Sequence, residues 1–517
     1  MSLAKILWAD DEIDLLKPQI LFLEKKGYEI VQVTNGYDAI EMCNEVRPDV
    51  VLLDESMPGI GGLDTLTEIK KINNNLPVVM ITKNEAEDIM EEAIGGQIAD
   101  YLIKPVKPQQ ILLTLKRILD NRRLVSEKTN SAYQQEFNKL FAEIQMGLDH
   151  EQWKDIYKKL TYWELQLDNT EGREMAEIMW MQKTEANNEF VKYIEKNYGD
   201  WINLGQDRPT MSHTLFDDKI FPVLDKAEVP TILLVIDNLR YDQWKMIEPI
   251  LMPFYQKETE DIFYSILPTS TQYSRNAIFS GLTPNEMSKR LPKWWKNDID
   301  EGGKNMHEAD FLADQLSRKR KDIKFEYHKI TNHHSGKSLV DNAFNLLNND
   351  LSVIVYNFVD MLSHARTEME VLKELASDET AYRSLSKSWF ENSPLFEILK
   401  RISERPHKLL ITTDHGTIRV QNPVKVVGDR NTTTNLRYKH GKNLSYNAKH
   451  VFEARNPDVV GLPKPNVSST YIFSRGNDFF VYPNNYNHFV NYYKNTFQHG
   501  GISLEEVLIP FVELTSK

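Results

Sequence analysis

The stretch VVLLDESMPGIGGLD, residues 50–64, joins a short aliphatic run to an acidic residue and then to a turn-forming segment. Residues 50–53 form the unbroken apolar run that is typical of a parallel strand buried on both faces. The run ends on Asp54, and one proline and three glycines between residues 58 and 62 predict a loop. A carboxylate that follows a buried parallel strand lies where doubly wound sheets place their reactive groups. The stretch therefore predicts an α/β domain with chemistry at Asp54.

Four more polar side chains stand at the ends of predicted strands in the same part of the chain. Asp10 and Asp11 follow the first apolar run, Thr82 ends the fourth and Lys104 ends the fifth. Three carboxylates at one sheet edge repel one another unless a hard cation lies among them, and oxygen ligands suit Mg²⁺. The hydroxyl and the ammonium group can both contact an acyl phosphate on Asp54. The pattern predicts a magnesium site at this edge.

This ordered set closely resembles the receiver domain of bacterial response regulators, over about 120 residues, the size of one domain. The resemblance implies that Asp54 is the phosphoacceptor and that the preceding acidic pair holds Mg²⁺ with it. It also implies that Thr82 and Lys104 couple phosphorylation to the surface, with Tyr101 as the switch aromatic. A sensor histidine kinase is then the expected partner. We expect phosphorylation to drive homodimerisation through the fourth and fifth elements of this domain.

The composition limits the remaining classes of function. A chain of 517 residues is long enough for about three domains. The net charge of −13 argues against general nucleic-acid binding, which needs a basic face. No run of about 20 apolar residues and no signal-peptide pattern occurs, so we expect a cytoplasmic protein without membrane insertion. The single cysteine, Cys43, excludes an internal disulfide framework.

The composition changes after residue 121. Residues 122–205 lack proline and carry apolar side chains at helical spacing, which predicts a small helical bundle that serves as a spacer or relay. Asp149 and Thr170 are candidate helix N-caps. Strands then alternate with helices from residue 206 to residue 517, which predicts a second α/β domain.

Three aspartates and three histidines stand at the ends of these later strands or in adjoining turns. The set is Asp237, Asp360, His364, Asp414, His415 and His499. The carboxyl ends of parallel strands share one edge of a sheet, so these side chains should meet there. Mixed imidazole and carboxylate ligands suit Zn²⁺, with Mn²⁺ as the alternative. Six ligands exceed the needs of one tetrahedral ion and suit two ions roughly 4 Å apart, an arrangement used in phosphoryl transfer.

Thr271, in the segment ILPTSTQYSRNAIFSG, is the candidate nucleophile. The segment runs from a strand into a predicted helix, whose free N–H groups attract anions. A metal on the threonine oxygen would favour the alkoxide. The alternative is that Thr271 only caps the helix.

The order of these residues resembles the alkaline phosphatase superfamily, with nucleotide pyrophosphatase/phosphodiesterases nearest. The resemblance implies two zinc sites beside the Thr271 nucleophile, and phosphomonoesterase action stays open. In that assignment Asp360, His364 and His499 hold one ion. The other ion is bound by Asp237, Asp414 and His415.

The whole chain resembles the PglZ-domain response regulators. The predicted architecture is a doubly wound receiver domain (1–121), a helical bundle (122–205) and a PglZ domain of the alkaline phosphatase superfamily (206–517). The resemblance implies a zinc-dependent phosphodiesterase that acts on oligonucleotides or cyclic nucleotides and regulates type IX secretion in Bacteroidetes. A sigma factor or a secretion-system component is the implied downstream partner.

A long insertion separates Asp414 from His499 and is rich in basic residues between 419 and 464. A basic island in an acidic protein could attract a phosphodiester, whereas the alternative is a solvated, partly mobile loop. Lys439 and Lys442 in this insertion, with Arg240 and Arg275 near the metal-site residues, are candidates for substrate contact. Two other functions stay open: a transcription regulator that binds DNA, and a non-catalytic signalling scaffold stabilised by zinc.

Overall fold

The computed structural model describes residues 4–73, 75–83, 98–168, 174–298, 300–376, 378–429, 432–466 and 468–517. The side chains of residues 120–127, 174, 358, 364–366, 368 and 370–372 lie outside the description. The chain divides into two compact units, Met1–Ala132 and Tyr133–Lys517.

The first unit is built on a parallel sheet. Its described strands are β1 (Lys5–Ala9), β2 (Glu29–Val33), β3 (Val50–Asp54), β4 (Val78–Thr82) and β5 (Asp100–Ile103). Among these residues the sheet order is β2–β1–β3–β4–β5, and every pairing is parallel. The described helices are Lys17–Lys25, Gly36–Val46, Gly62–Ile72 and the first part of Pro108–Gln145.

Both faces of this sheet are covered, as the unbroken apolar run after residue 49 predicts. Leu52 belongs to the core that includes Ile111 of the last helix, whereas Leu53 belongs to the core that includes Leu66 of the third. Neighbouring strand residues face opposite sides, so a strand between two helical layers must be apolar at every position. The predicted doubly wound receiver fold is confirmed.

The second unit contains a larger mixed sheet. Its strands are β6 (Thr231–Ile236), β7 (Tyr255–Tyr264), β8 (Phe325–Ile330), β9 (Leu351–Tyr356), β10 (Lys408–Thr412) and β19 (Leu508–Ser516). The order is β7–β19–β10–β6–β9–β8 among the described residues. β8, β9, β6 and β10 run parallel to one another. β19 pairs antiparallel with β10, and β7 pairs antiparallel with β19. β6 is the earliest of these strands and lies between β9 and β10, which is the type of switch point where open sheets bind ligands.

The insertion between β10 and β19 is folded in its described part, contrary to the alternative of a mobile loop. Its strands are β11 (Ile418–Arg419), β12 (Asn422–Val427), β13 (Tyr438–Gly441), β14 (Ser445–Tyr446), β15 (Val451–Ala454), β16 (Thr470–Ser474), β17 (Asp478–Val481) and β18 (Phe497–Gln498). They pair as β11–β18, β14–β12–β17 and β13–β16–β15. Small apolar clusters stabilise these sheets, one around Ile472 and one around Phe479.

Helices cover the larger sheet and include the predicted bundle. The helices that begin after residue 149 are His150–Leu167, Glu174–Ile202, Phe221–Leu224, Tyr241–Leu251, Thr271–Ser280, Pro284–Arg290, Glu308–Arg318, His333–Asp341, Phe358–Glu368, Glu370–Leu375, Glu379–Glu391, Pro394–Ile402, Tyr486–Tyr493 and Leu504–Val507. Asp149 caps the first of them with a capping box, as predicted. Thr170, the other predicted cap, lies outside the described residues.

The bundle helices after residue 132 belong to the same compact unit as the larger sheet. Their aromatic side chains pack directly on the sheet: Phe190 and Trp201 lie 6.3 and 5.5 Å, ring centroid to centroid, from Tyr264 of β7. The bundle and the sheet therefore share one hydrophobic core. In the described part of the chain, no helix has both the length and the apolar character to span a membrane.

Candidate metal centre and phosphoacceptor site

The metal-site residues of the second unit lie at the carboxyl edge of the parallel strands. Asp237 follows β6 directly, and Asp414 and His415 follow β10. Asp360 lies in the first turn of the helix after β9. The pairing of Val235 with Thr412 and of Ile236 with Tyr356 brings these strand ends side by side. The structure thus assembles residues that are far apart in sequence, as the strand-end pattern predicts.

Asp237, Asp414 and His415 form the first ligand group. One potential ligand atom from each lies within 4.8 Å of the others. The Nε2 atom of His415 lies 3.8 Å from a carboxylate oxygen of Asp237 and 3.9 Å from one of Asp414. All three side chains are buried, with at most 1% of any residue's surface exposed. This donor set, two carboxylates and one imidazole, suits a divalent cation such as zinc.

The hydrogen bonds of the two histidines fix which ring nitrogen can bind a cation. The Nδ1 atom of His415 lies 3.1 Å from the carbonyl oxygen of Gly416, and that of His499 lies 3.1 Å from the carbonyl of Thr269. A carbonyl oxygen can only accept, so each Nδ1 carries the hydrogen and each Nε2 keeps its lone pair. This is the arrangement that orients metal-binding histidines.

Asp360 and His499 form the described part of the second ligand group. The Nε2 atom of His499 lies 3.5 Å from a carboxylate oxygen of Asp360. The rings of His415 and His499 stack with centroids 4.3 Å apart, so the two groups adjoin. His364 lies one turn after Asp360 on the helix Phe358–Glu368, but its side chain is outside the described residues.

Asn238 joins the two groups and was missed from the sequence. Its side-chain nitrogen lies 3.4 Å from Asp360 Oδ1 and donates at 3.3 Å to the Ser363 hydroxyl. Its backbone N–H donates to Asp414 Oδ1. Its φ of +65° is in the left-handed region, which asparagine tolerates better than most residues. The available signal was an asparagine directly after a strand-end aspartate.

Thr271 lies against the first ligand group rather than capping its helix. Its Oγ1 is 3.1 Å from Nε2 of His415 and 3.3 Å from Oδ1 of Asp237. The helix Thr271–Ser280 begins at this residue, and its N-cap is Ser270, with extended backbone and no side-chain capping bond. The capping alternative for Thr271 is therefore wrong, because the hydroxyl points to the ligand group instead of to the helix N–H groups.

Arg275 is buried behind the carboxylates, one turn along the same helix. Its guanidinium contacts Asp237 and donates to Asp414 at 3.0 Å and to Asn357 at 3.2 Å. Burial raises the pKa of Asp237 to about 7, with Arg275 opposing the shift and Asp414 adding to it. Burial would also raise the pKa of Asp414, but Arg275 and His415 hold it at about 2. Arg275 has no exposed surface, so it compensates buried charge and does not offer a substrate contact.

The other candidates for substrate contact are placed differently. Arg240 is fully buried between Asp242 and Glu379, which corrects the expectation that it meets substrate. Lys439 is buried under Thr433, whose carbonyl it contacts at 2.9 Å, and burial lowers its pKa to about 7. Lys442 is half-buried in the same insertion.

The receiver site has the predicted composition. Asp10, Asp11 and Asp54 place one carboxylate oxygen each within 4.8 Å of one another. The Lys104 ammonium lies 2.9 Å from Asp10 and 3.0 Å from Asp54. Burial raises the pKa of Asp54; the Lys104 hydrogen bond opposes this shift and Asp10 adds to it. Asp10 and Asp54 are buried whereas Asp11 is exposed, so the cluster opens to solvent on one side.

Thr82 and Tyr101, the other two predicted switch residues, differ in their surroundings. The Thr82 hydroxyl donates to the carboxylate of Glu55. The side chain of Tyr101 points outward, with 40% of the residue exposed. The neighbouring residues 84–97, which belong to the region predicted to mediate pairing, lie outside the described residues.

Comparison with known proteins matches each part of this architecture. A response regulator receiver domain model matches residues 6–116, and a PorX response regulator linker domain model matches residues 123–202. A third model, the BREX system PglZ alkaline phosphatase-like domain, matches residues 215–514. Fold and site together define a response regulator with an alkaline phosphatase-like effector domain. The chain belongs to the PglZ alkaline phosphatase-like family and has a PorX-type receiver-plus-PglZ architecture.

Individual relatives match the receiver part. The chemotaxis protein CheY of Thermotoga maritima is 30% identical over 22% of this chain and 96% of its own length. The CpxR homolog of Haemophilus influenzae, a transcriptional regulatory protein, is 35% identical over 25% of this chain and 55% of its own length. The solved structure of the Vibrio cholerae chemotaxis protein CheY4 covers 23% of this chain and 99% of its own, with 26% identity and a TM-score of 0.22. The chain thus spans only about half of the matched transcriptional regulator.

Proposed function

We propose that this protein is a phosphorylation-controlled phosphodiesterase whose C-terminal domain uses two zinc ions and Thr271 as the nucleophile. The observation that carries the proposal is the contact of one hydroxyl with both an imidazole and a carboxylate of a buried ligand group. A threonine hydroxyl that only capped a helix or filled the core would not need to contact both of these side chains. The match to an alkaline phosphatase-like domain supports a hydrolase of that superfamily.

The residues present fit two divalent cations. Asp237, Asp414 and His415 would hold one ion, and Asp360 and His499 with His364 would hold the other. The fit rests on the two Nε2 lone pairs that backbone carbonyls keep available, and on two buried carboxylates for which Arg275 is a shared counterion. Bound zinc would supply Lewis acidity and lower the pKa of an attached oxygen.

The residues of the site then have separate roles in the proposed reaction. Thr271 Oγ1 gives up its proton to solvent and attacks phosphorus, so that a Thr–O–P bond forms. The leaving oxygen departs with the electron pair of the broken P–O bond and takes up a proton from solvent to become the alcohol. Water then cleaves the Thr–O–P bond and restores the hydroxyl. Asp237 and His415, which contact the Thr271 hydroxyl, would hold the cation beside the attacking oxygen, and Arg275 offsets the negative charge of the carboxylate behind it.

The proposed substrates are phosphodiesters of oligonucleotides or cyclic nucleotides, with phosphomonoesters as the alternative. Hydrolysis of bis-p-nitrophenyl phosphate and of p-nitrophenyl phosphate by the same zinc-loaded preparation tests the choice. We expect the diester to give the larger kcat/KM. A preparation that holds zinc but hydrolyses neither ester would favour the scaffold hypothesis.

The receiver residues support control by phosphorylation. The carboxylates of Asp10, Asp11 and Asp54 fit Mg²⁺, because three oxygen ligands converge and one side faces solvent. A receiver domain implies a sensor histidine kinase that supplies the phosphoryl group. The acyl phosphate on Asp54 would draw Thr82 away from Glu55 and Tyr101 inward, and the changed surface would pair two chains.

The architecture supports one proposed biological setting. The match of residues 123–202 to the PorX linker supports a role in type IX secretion, in the cytoplasm, downstream of a kinase. A sigma factor or a secretion-system component would be the downstream partner.

A further inference from the structure

A network of charged side chains, buried at Arg240, Asp242 and Arg383 and more exposed toward Asp168, lies beside the loops that carry the candidate metal ligands. Its acidic members are Glu164, Asp168, Asp242, Glu379 and Glu505. Its basic members are Lys183, Arg240 and Arg383. Three of the carboxylates approach one another closely enough to suggest a cation site, but the three basic side chains already occupy this position. The network is therefore ionic and not a metal site.

Arg240 touches both loops that carry the central histidines. Its aliphatic stem packs on Gly416, the residue after His415, where a Cβ would lie 3.4 Å from Arg240 Cγ. Its guanidinium carbon lies 5.5 Å from the ring centroid of Phe497, two residues before His499. It lies 5.7 Å from the ring of Tyr382, which stacks on Phe497 at 3.9 Å. The guanidinium therefore packs against the stacked pair that these two rings form.

The two histidine loops form one ribbon at this point. β11 follows His415, β18 precedes His499, and the strands pair with Ile418 opposite Gln498. The Thr417 hydroxyl donates to the carbonyl of Gln498 at 2.9 Å. A shift at either end of the ribbon therefore displaces both imidazoles, whose rings stack with 4.3 Å between centroids.

Arg383 connects Arg240 to the bundle helices His150–Leu167 and Glu174–Ile202, which are called the linker helices below. It shares Asp242 with Arg240, and its other bonds go to Glu164 at 2.9 Å and Asp168 at 2.6 Å, near the end of the helix His150–Leu167. The next linker helix makes a second connection, because Lys183 contacts both Glu164 and Glu505.

That second connection reaches the same glycine as Arg240. The backbone of Glu505 lies so close to Gly416 that a Cβ there would overlap its carbonyl oxygen. Asn187 of the linker helix bonds the Glu505 side chain at 3.2 Å and the Leu504 N–H at 2.7 Å. Two separate sets of contacts from the linker helices therefore meet at Gly416, beside His415.

We propose that Arg240 is a positioning residue that holds the His415 and His499 loops in register, and that Arg383 makes this register depend on the linker helix His150–Leu167. The inference rests on the proposed function, since it concerns the alignment of the proposed metal ligands. Burying several charges at an interface is costly, and apolar side chains of similar size would often stabilise it equally well. A network that fixes a geometry explains why charges are used at this interface.

Zinc affinity of the full-length, metal-depleted protein tests the proposal. Zn²⁺ is titrated in competition with a chromophoric chelator, and Co²⁺ absorption reports the ligand geometry. We expect Arg240→Met to weaken zinc binding at least tenfold, Arg383→Met to weaken it at least threefold, and Arg240→Lys to recover part of the loss. Arg208→Met is the matched control, because it removes a bidentate pair with Asp218 in the same unit away from the ribbon. It should lower the unfolding temperature without changing zinc affinity.

The outcomes separate this inference from the proposed function. A wild-type protein that binds no zinc would contradict the proposed function itself. A folded Arg240→Met variant with wild-type zinc affinity and cobalt spectrum, destabilised only as Arg208→Met is, would overturn the positioning role. Should Arg240→Met not fold, Glu379→Gln and Arg383→Met decide: weaker zinc binding in either supports the inference, and unchanged affinity in both overturns it.

Discussion

The two acidic sites of this chain compensate their charge in different ways. In the receiver, Lys104 contacts Asp10 and Asp54, and the third carboxylate, Asp11, is exposed. In the C-terminal domain, the first ligand group is buried and Arg275 contacts both of its carboxylates.

The difference indicates what each site is built to hold. A site open on one side, balanced by a lysine ammonium, suits an exchanging Mg²⁺ and a phosphoryl group that is added and removed. A closed site with fixed histidine tautomers and a buried guanidinium suits resident cations. We therefore expect transient occupancy of the receiver site and permanent occupancy of the C-terminal site.

The largest expected effect comes from the nucleophile. Thr271→Val should lower phosphodiester hydrolysis by roughly 10³-fold or more, because it removes the attacking oxygen at nearly constant volume. Turnover of bis-p-nitrophenyl phosphate measures it. Thr271→Ser is the matched control and should keep substantial activity, since it retains the hydroxyl. Equal rates for wild type and Thr271→Val would make a metal-bound water the nucleophile.

Removal of one metal-binding side chain from the C-terminal site should reduce the amount of zinc that the protein retains. His499→Ala should lower the zinc content from about two ions to about one per chain and lower the unfolding temperature, because bound metal stabilises the folded state. Metal analysis by mass spectrometry and thermal unfolding measure the two effects. Asp54→Ala is the control and should keep both zinc ions. Unchanged zinc in His499→Ala would contradict the two-ion assignment.

Phosphorylation should change association without changing zinc content. Beryllofluoride with Mg²⁺ should convert the wild-type protein to a dimer, and Asp54→Ala should stay unchanged, because the acceptor carboxylate is missing. A differential stability of only a few kcal/mol is sufficient for such a shift. Sedimentation velocity measures it. A wild-type protein that stays monomeric with beryllofluoride bound would contradict the prediction that phosphorylation of Asp54 drives dimerisation.

The smallest expected effect concerns acid stability of the linker network. Burial alone would raise the pKa of Glu164, but Lys183 and Arg383 lower it to about 2. Its folded pKa lies below the unfolded value of about 4.3. Its contribution is therefore present above about pH 4.3 and is lost as the pH falls toward 2.

Glu164→Gln should consequently flatten the acid limb of stability between these pH values while destabilising the protein at pH 7. Denaturant unfolding followed by circular dichroism at several pH values measures this. Glu143→Gln is the control, because its pair with Lys159 is more exposed and should contribute little. Parallel stability curves for wild type and Glu164→Gln would contradict the assignment.

The residues at strand ends could be predicted from the sequence because parallel strands bring their carboxyl ends to one edge. That rule places Asp54 beside Asp10, and Asp237 beside Asp414, without knowledge of the packing. The receiver fold and the alkaline phosphatase-like family, which the order of these strand-end residues resembles, were confirmed by the matching domain models.

The buried arginines could not be predicted, since their partners are distant in sequence. Arg275 looked available for substrate, yet it pairs with Asp414, 139 residues away. Arg383 meets Glu164 across 219 residues. Periodicity showed that the linker helices have an apolar face but not what that face packs against, so their merger with the sheet core was missed.

A zinc titration of the metal-depleted full-length protein, with hydrolysis of bis-p-nitrophenyl phosphate followed at each step, tests the two-metal centre most directly. We expect activity to appear only as the second zinc equivalent binds and to stay absent throughout in Thr271→Val. Full activity in the metal-free protein, or after one equivalent alone, would contradict a site built from both ligand groups.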